Sequence, residues 1–223
     1  MILYFIRHAE PIYEPDSLTK LGHIQAEKLS KKLVNLGIDK IYSSTSNRAI
    51  LTAKPTAKLL KKEVNLVDFA NEKYAWEGLT YDDEFGRHWM FQSTKYKEIF
   101  HSLEVVNLGE KWYTHPLLNE PKIEQEINRV RHHTNEFLAM LGYEKIQPGK
   151  YRVNKVENEV VALFAHQGFG LAFLSALLDI PYPLFCTHFD LSLSSVTAIE
   201  FKEENGFSYP KILTMSNDSH LNK

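Results

Sequence analysis

Apolar residues in this chain form short continuous runs, and these runs alternate with stretches in which apolar residues recur every three or four positions. Continuous runs are typical of strands buried on both faces, whereas the wider spacing is typical of amphipathic helices. Strands are predicted to end at residue 7 and to cover residues 40–43, 63–67, 159–165, 195–201 and 209–215. Helices are predicted after the N-cap Thr19 up to Gly37, at about 46–61, at 123–141 and at 168–178. This order predicts an α/β fold whose central sheet is mostly parallel.

Two of these predictions concern packing and pairing. The first helix is predicted to bury one face, which carries Leu21, Ile24, Leu29, Leu33 and Leu36. The last two strands are predicted to form a hairpin around residues 204–206, because Glu-Asn-Gly between alternating segments is a turn signal.

The segment between residues 70 and 121 has no clear helical or strand period. It contains all three tryptophans and many other aromatic residues, namely Trp76, Trp89, Trp112, Tyr74, Tyr81, Phe85, Phe91, Tyr96, Phe100 and Tyr113. Because a structureless loop of this length is unusual in a compact domain, we predict short helices that form a cap, with residues 73–122 as the inserted segment. The aromatic side chains either contact a ligand in the cleft or form a satellite hydrophobic core, and the sequence leaves both interpretations open.

The composition narrows the class of protein. A chain of 223 residues with 43% hydrophobic and 24% charged residues can bury one sizeable core, so we predict a single domain over residues 1–223. The net charge of −2 gives no electrostatic reason to expect binding to nucleic acid or to a membrane surface. The only cysteine, Cys186, fits a reducing compartment, and no apolar stretch has the length of a signal peptide or a membrane helix. We therefore expect a cytoplasmic protein, and the oligomeric state is not encoded in these features.

Two histidines follow predicted buried strands. Arg7 and His8 come directly after the first apolar run, and His166 follows the run that ends at residue 165. In an open α/β sheet, residues just past the carboxyl ends of the strands line the ligand crevice, so these side chains are expected in one cleft. Arg48 stands near the first turn of a predicted helix, where backbone N–H groups also favour anions. A histidine beside a permanently charged guanidinium is suited to attacking an anion that the guanidinium holds, which indicates phosphoryl transfer through a phosphohistidine.

Five motifs carry a resemblance to a known family. They are Arg7-His8, Leu18-Thr19-x-x-Gly22 with Gln25-Ala26, Ser43-Ser44-x-x-x-Arg48-Ala49-x-x-Thr52-Ala53, Ala165-His166-Gln167-Gly168, and the closing Asn217-Asp-Ser-His-Leu221. In this order they resemble the histidine phosphatase superfamily, which has the phosphoglycerate-mutase-like fold. The resemblance implies a three-layer α/β/α architecture with a mostly parallel central sheet and an inserted, largely helical cap. Two departures are Ala9, where glycine is commoner in the family, and residues 77–122, which match no family motif.

The expected roles combine residue chemistry with this resemblance. His8 is expected to be the nucleophile, with its second ring nitrogen donating to a backbone carbonyl. Arg7 and Arg48 are expected to hold the phosphoryl oxygens, and His166 to donate to the same oxygens, best if it is protonated. The backbone N–H of Gln167, at a helix start, adds a further expected contact. The alternative interpretations are a structural histidine at a strand end, an arginine in a surface ion pair and a histidine with satisfied partners in the core.

The resemblance also implies a carboxylic acid after the third strand that protonates the leaving group. Glu72 occupies this position, but in many family members the acidic or glutamine residue and glycine that follow come at a longer distance than Glu77-Gly78 does here. Glu72 is therefore the expected general acid, and Glu77 is the alternative. Either carboxyl must be protonated near pH 7, so burial is expected to raise its pKa.

These features predict a phosphomonoester hydrolase of the histidine acid phosphatase type that acts on a small phosphorylated metabolite. One alternative is a cofactor-dependent phosphoglycerate mutase, although residues 10–17 do not match the loop that follows Arg-His in mutases. Another is a non-catalytic binding protein on the same fold, which is expected to lack one of the central residues. No metal or cofactor is expected, because two arginines and a histidine supply the positive charge. The adjacent His132 and His133 point about 100° apart on a helix, so they are not expected to share a metal.

Overall fold

The computed structural model describes residues 1–155 and 158–222. Its strands are β1 (Ile2–Arg7), β2 (Pro11–Ile12), β3 (Ser17–Leu18), β4 (Lys40–Ser44), β5 (Val64–Val67), β6 (Thr80–Asp83), β7 (Gly86–Trp89), β8 (Tyr143–Gln147), β9 (Lys150–Val153), β10 (Val160–Ala165), β11 (Val196–Glu200), β12 (Glu203–Glu204), β13 (Phe207–Ser208) and β14 (Lys211–Asn217). Its helices are α1 (Lys20–Leu33), α2 (Asn47–Leu60), α3 (Glu72–Gly78), α4 (Thr94–Phe100), α5 (Leu103–Leu108), α6 (Pro121–Met140), α7 (Gln167–Leu178) and α8 (Tyr182–His188). Short 3₁₀ turns cover Val34–Leu36, Asp68–Ala70, Met90–Gln92, Gly109–Thr114 and Ser219–Leu221.

The central sheet of the described residues has six strands in the order β14-β11-β1-β10-β4-β5. β1, β10, β4 and β5 run parallel, while β11 is antiparallel to β1 and β14 is antiparallel to β11. Arg7 at the end of β1 pairs with Ala165 at the end of β10, and Phe164 pairs with Ser43 in β4. This register brings the carboxyl ends of three neighbouring strands to one edge. The predicted mostly parallel sheet is confirmed.

Helices pack on both faces of the central sheet, because alternate residues of its strands point to opposite sides. α1 and α2 cover one face, whose buried residues are Ile6, Leu29, Leu33, Ile38, Ile41, Ala53, Ala57, Ala162, Phe164 and Val196. α6 and α7 cover the other face, where Phe5 of β1 stacks on Phe173 with ring centroids 5.8 Å apart. The result is the expected three-layer α/β/α arrangement.

The start of α1 is positioned by a glycine rather than by its leucines. A Cβ at Gly22 would lie 2.2 Å from the carbonyl oxygen of Glu10, so the helix can approach this backbone only at a glycine. Leu21 and Ile24, on either side of this contact in the sequence, are 50% and 54% exposed. The prediction that these two residues are buried is therefore wrong.

The hairpin predicted near residues 204–206 is present, but its tip belongs to a second sheet. β11 and β14 pair as predicted, and the chain between them forms β12 and β13 around Asn205 and Gly206, which have φ angles of 54° and 83°. β13 also pairs with β9, and β9 with β8, which gives the order β12-β13-β9-β8. β8 and β9 were not predicted, because their alternation of apolar and polar residues is short and interrupted by charged residues.

The 73–122 segment contains the predicted short helices and also a hairpin, β6–β7, that was not predicted. Most of its aromatic residues join the buried cluster that also contains α6 and α7. Trp112, for example, is fully buried, with ring centroids 5.6 Å from Phe100 and 5.7 Å from Tyr182. Within residues 1–155 and 158–222, no helix is both long enough and apolar enough to cross a bilayer.

Candidate active site

Four side chains predicted from the sequence lie together at the carboxyl edge of the central sheet. His8 follows β1 and His166 follows β10, and their ring centroids are 5.2 Å apart. Arg7 and Arg48 line a cavity of about 800 Å³ at this edge. Both histidines are buried, with 1% and 0% of their surfaces exposed. Glu72 lines the cavity, and its Oε2 lies 3.6 Å from Nδ1 of His166.

His8 is held in one tautomer by the backbone. Its Nδ1 lies 2.7 Å from the carbonyl oxygen of Ala9, and a carbonyl can only accept, so Nδ1 carries the proton. Burial, together with the positive charges of Arg48 and Arg7, lowers the pKa of His8 to about 3. The ring is therefore neutral near pH 7, and Nε2 is the unprotonated nitrogen that a nucleophile requires.

The two arginines present N–H groups that the described residues do not satisfy. Arg7 donates from Nη1 to the carbonyl of Leu191 at 2.5 Å, and Arg48 donates from Nη1 to Asp16 at 2.9 Å and from Nη2 to Glu72 at 3.4 Å. The Nε atoms of both arginines are buried without a hydrogen-bond partner. Buried N–H donors without a protein partner are rare unless a ligand accepts their hydrogen bonds, so these groups indicate an anion site.

Asp16 is a site residue that the sequence analysis missed. Its carboxylate accepts from the backbone N–H of Asn47 at 2.7 Å and from Nη1 of Arg48 at 2.9 Å. Ser46 is the N-cap residue of α2, but its side chain makes no cap hydrogen bond, so Asp16 caps the helix from another part of the chain. No local sequence pattern predicts this contact, because Asp16 lies in a polar loop whose composition is typical of solvent-exposed segments.

His166 is fixed by two buried hydroxyl groups. Its Nε2 lies 2.8 Å from Oγ of Ser44 and 3.1 Å from Oγ of Ser46. Its Nδ1 has no hydrogen-bond partner in the described residues and lies 3.6 Å from Oε2 of Glu72. Burial and the neighbouring His8 and arginines lower the pKa of His166 well below its ordinary value, so the resting ring is neutral. It can act as the expected donor to an anion when its one proton is on Nδ1.

The structure separates the two candidates for the general acid. Glu72 lines the cavity, and its Oε1 accepts from the backbone N–H of Gly168 at 2.8 Å. Burial raises its pKa, and the charge of Arg48 only partly opposes this shift. Glu77 is exposed at the far end of α3 and is not among the residues that line this cavity. The geometry therefore favours Glu72.

Gln167 lies at the expected helix start, with a different contact from the one expected. Its side chain donates to Asp190, and the residue lines the cavity. The N–H at this end of α7 that binds a carboxylate is that of Gly168, which donates to Glu72. The helix start thus positions the candidate acid, and a role of the Gln167 N–H in phosphate binding stays a prediction.

The aromatic residues of the 73–122 segment fall into two groups. Trp76 and Trp89 line the cavity and meet edge to face, with centroids 5.0 Å apart. Trp89 also lies against the start of α7, where a Cβ on Gly168 would come within 2.3 Å of its ring. Trp112 belongs to the buried cluster instead. The interpretation as a hydrophobic core therefore holds for Trp112, while contact of Trp76 and Trp89 with a ligand stays a prediction.

Among the residues that the structure describes, two clusters of three side chains offer metal-ligand atoms within 4.8 Å of one another. One consists of His8, Glu72 and His166 in the site, and the other of His132, His133 and Glu136 on the surface of α6. In the surface cluster, Nε2 of His132 lies 3.2 Å and Nδ1 of His133 lies 2.9 Å from Glu136. The two rings therefore reach one carboxylate through different nitrogens, and the expectation that the two histidines do not share a metal stays a prediction.

Comparison with known families supports the motif assignment. The model of the histidine phosphatase superfamily (branch 1) matches residues 3–112, which include the first three motifs. A protein of Hydrogenobacter thermophilus named as a phosphoserine phosphatase is 26% identical over 138 residues. This match covers 58% of the present chain and 63% of that protein's length.

Solved structures share the fold over almost the whole chain. A phosphoserine phosphatase of Entamoeba histolytica, solved in complex with phosphoserine, has a TM-score of 0.64 at 19% identity and covers 99% of this chain and 98% of its own. A mycobacterial glucosyl-3-phosphoglycerate phosphatase has a TM-score of 0.61 at 18% identity, with 96% and 98% covered. At these identities the likeness establishes the fold.

Proposed function

We propose that this chain, which belongs to the histidine phosphatase superfamily, hydrolyses small phosphomonoesters through a phosphohistidine on His8. The supporting observation is the state of His8, whose neutral ring leaves Nε2 unprotonated beside two arginines with free buried N–H groups. Relatives named as phosphatases of phosphoserine and of glucosyl-3-phosphoglycerate favour a small phosphorylated metabolite as substrate. The activity proposed is that of a phosphoric monoester hydrolase of the histidine acid phosphatase type, working in the cytoplasm.

In the first step, Nε2 of His8 attacks phosphorus while the bond from phosphorus to the leaving oxygen breaks. Arg7 and Arg48 bind the phosphoryl oxygens through the N–H groups that the described residues leave unsatisfied. His166 donates from Nδ1 to the same oxygens, with a hydroxyl of Ser44 donating to its Nε2. Positioned positive charge of this kind can contribute ~10³–10⁵ in rate to phosphoryl transfer.

Glu72 supplies the proton that the leaving oxygen needs. Its buried carboxyl has a raised pKa, so a protonated fraction is available near neutral pH. In the second step, a water molecule attacks the phosphohistidine, and the Glu72 carboxylate takes the proton of that water. The N–P bond breaks, phosphate leaves, and both His8 and Glu72 return to their starting states.

The leaving group is proposed to lie against the two cavity-lining tryptophans. Trp76 and Trp89 offer a large apolar surface with indole N–H groups, which suits a leaving group larger than a methyl or ethyl chain. We further propose that residues 73–122 act as a cap insertion within a single domain of residues 1–223. The residues that contact the leaving group then belong to the 73–122 segment, whereas the residues that transfer the phosphoryl group lie at the edge of the central sheet.

Two alternatives remain as outcomes of the test. A cofactor-dependent phosphoglycerate mutase uses the same four central residues but returns the phosphoryl group to an acceptor. A binding protein without catalysis is disfavoured, because His8, Arg7, Arg48 and His166 are all present and close together.

The experiment is a screen of phosphorylated metabolites for release of inorganic phosphate, with the His8→Ala protein as the blank. A phosphatase releases phosphate from at least one compound, and only with the unsubstituted protein. A mutase gives isomerised product without net release, and a binding protein gives neither.

A further inference from the structure

We propose that His8, Glu72 and His166 also form a binding site for a divalent transition metal of the zinc class, and that this metal blocks the site. The proposal concerns binding and does not rest on hydrolysis. The motivating observation is that the nitrogen and oxygen atoms these residues can offer lie within 4.8 Å of one another, with both histidines buried and the Glu72 side chain 12% exposed.

Two of the three ligand atoms already have nearly the spacing that a small tetrahedral ion requires, and the third lies within 4.8 Å of both. Nδ1 of His166 and Oε2 of Glu72 are 3.6 Å apart. A tetrahedral zinc ion with bonds of about 2.0–2.1 Å separates its ligand atoms by about 3.3–3.4 Å, so these two atoms need to move only by tenths of an ångström. Two imidazoles and one carboxylate are also one of the ligand sets found in catalytic zinc sites, with the fourth position left open.

Both imidazoles have the supporting contacts of metal ligands. Nδ1 of His8 donates to the Ala9 carbonyl, which leaves Nε2 to bind the ion. Nε2 of His166 lies 2.8 Å from the Ser44 hydroxyl. A hydroxyl can both donate and accept, so Ser44 can hold the tautomer whose Nδ1 is unprotonated and free for the ion. The same pair of contacts that prepares the site for catalysis therefore prepares it for zinc.

The ligand chemistry selects the class of ion, and the local charge limits its affinity. Imidazole favours zinc and its neighbours, whereas magnesium and calcium prefer sites built from oxygen. Arg48 lies 3.4 Å from Glu72 and repels a dication, while the carboxylates of Glu72 and Asp16 offset part of that repulsion. We therefore expect zinc to bind reversibly at this site and to inhibit the enzyme, and we do not expect a permanently bound metal. A zinc ion on Nε2 occupies the lone pair that attacks phosphorus.

The surface cluster on α6 is a second place where zinc could bind, and it must be removed first. The side chains of His132 and Glu136 are more than half exposed, and His133 is about one-third exposed. The double variant His132→Ala/His133→Ala removes two of its three ligands, and neither histidine lines the cavity. This variant should keep its phosphatase activity and serves as the reference protein.

The test is calorimetric titration of the reference protein with zinc chloride, in a buffer free of phosphate and chelators. We expect one zinc ion per chain, and no heat of binding with magnesium chloride. Adding His8→Ala or Glu72→Gln to the reference protein should weaken zinc binding by about 10- to 100-fold or more, since even an indirect contact of a ligand is worth that much. Equal zinc affinity in all three proteins, or no zinc binding by the reference protein, overturns the proposal.

A second measurement does not depend on variants of buried residues. In the reference protein labelled with ¹⁵N-histidine, zinc should shift the Nε2 signal of one histidine and the Nδ1 signal of another, and leave the remaining rings unchanged. Shifts confined to exposed histidines overturn the proposal. A protein that binds zinc in this way but releases no phosphate from any compound refutes the proposed function alone, so the two failures are distinguishable.

Discussion

The sheet edge and the 73–122 segment line the same cavity, and they are held in place by different forces. At the sheet edge, backbone hydrogen bonds fix the functional groups, as in the His8 N–H that donates to the Ala165 carbonyl at 2.9 Å. In the 73–122 segment, side-chain packing fixes them, as in Trp89, which lies against Gly168. A group fixed by the backbone of a buried strand has little freedom to vary, whereas a group fixed by packing can be exchanged if its neighbours adjust. The difference suggests that the sheet edge determines the chemistry and that the packed segment determines the leaving group.

The strongest test of this division is His8→Ala, which should reduce turnover to the level of the buffer blank. The reason is that Nδ1 of His8 donates to the Ala9 carbonyl, which leaves its Nε2 as the proposed nucleophile, and alanine removes this nitrogen. Brief mixing of the unsubstituted protein with substrate should leave an acid-labile phosphate on His8, detectable by mass spectrometry. His101→Ala is the matched control, since His101 is exposed, bonds to Thr187 and does not line the cavity. Full turnover in His8→Ala, or label on another residue, refutes the mechanism.

The sheet edge could be predicted from the sequence because its geometry follows from topology. Once two apolar runs are recognised as parallel neighbours, the residues after them must lie side by side, as the pairing of Arg7 with Ala165 shows. The tautomer of His8 follows from the same backbone, because its ring bonds to the carbonyl of the next residue. The contact of the His8 ring is local, and the position of the two histidines depends on strand order. Both can be predicted, because local contacts and the order of apolar runs are visible in the sequence.

The remaining features depend on contacts between distant parts of the chain that no local pattern encodes. Asp16 reaches Asn47 across 31 positions, and nothing in its loop distinguishes it from a solvated aspartate. Trp76 and Trp112 look alike in the sequence, yet one lines the cavity and the other is buried. The choice between Glu72 and Glu77 was open for the same reason, because it depends on which face of α3 turns towards the cavity.

The next largest effect is expected at the general acid, and it should depend on the substrate. Glu72→Gln should slow hydrolysis of a sugar phosphate by ~10²–10⁴, the usual loss when a general acid is removed. It should slow p-nitrophenyl phosphate much less, because nitrophenolate leaves without a proton. The matched control is Glu77→Gln, which should show no such contrast. A contrast at Glu77 instead identifies that residue as the acid.

The pH dependence of the rate tests Glu72 without a substitution, by changing its protonation state instead. A general acid works only while protonated, so the rate with a sugar phosphate should fall as pH rises through the pKa of Glu72. Burial raises this pKa, which places the fall above the ordinary range of a glutamate. His8 stays neutral down to about pH 3 and adds no change near neutrality. If the rate of Glu72→Gln still falls at high pH in the same way as that of the unsubstituted protein, Glu72 is not the general acid.

Asp16→Asn should have a smaller effect, on binding more than on chemistry. Asparagine keeps an oxygen that can accept from the Asn47 N–H, but it loses the charge that pairs with Arg48. We expect KM and the inhibition constant of inorganic phosphate to rise together by about tenfold or more, since a charged hydrogen bond is worth about 1.5–3 kcal/mol. The melting temperature should barely change, and Glu14→Gln in the same loop should change none of these quantities. A fall in melting temperature without a change in KM limits Asp16 to capping α2.

Within the 73–122 segment, Trp76 and Trp112 should respond in opposite ways. Trp76→Leu should raise KM for large substrates by about two- to tenfold, which corresponds to an aromatic contact of about 0.5–1.5 kcal/mol, and should have little effect on stability because Trp76 is 36% exposed. Trp112→Leu should lower the free energy of unfolding by a few kcal/mol, up to about 3–5 for complete truncation, with KM unchanged. Urea unfolding and steady-state kinetics on both variants measure the two effects. Equal KM in Trp76→Leu and the unsubstituted protein for every substrate removes this segment from substrate binding.

Chelation should have the smallest effect on turnover. The sheet edge already carries the positive charge that a phosphoryl group needs, because Arg7 and Arg48 line the cavity with buried N–H groups that the described residues leave unpaired. Treatment with EDTA should therefore leave kcat and KM unchanged for a protein prepared without zinc. If zinc occupies His8 as proposed, EDTA should raise the rate of a protein exposed to zinc back to that same value. Loss of activity with EDTA, restored by one added metal, would mean that the arginines do not suffice and that the electrostatics of the sheet edge have been misread.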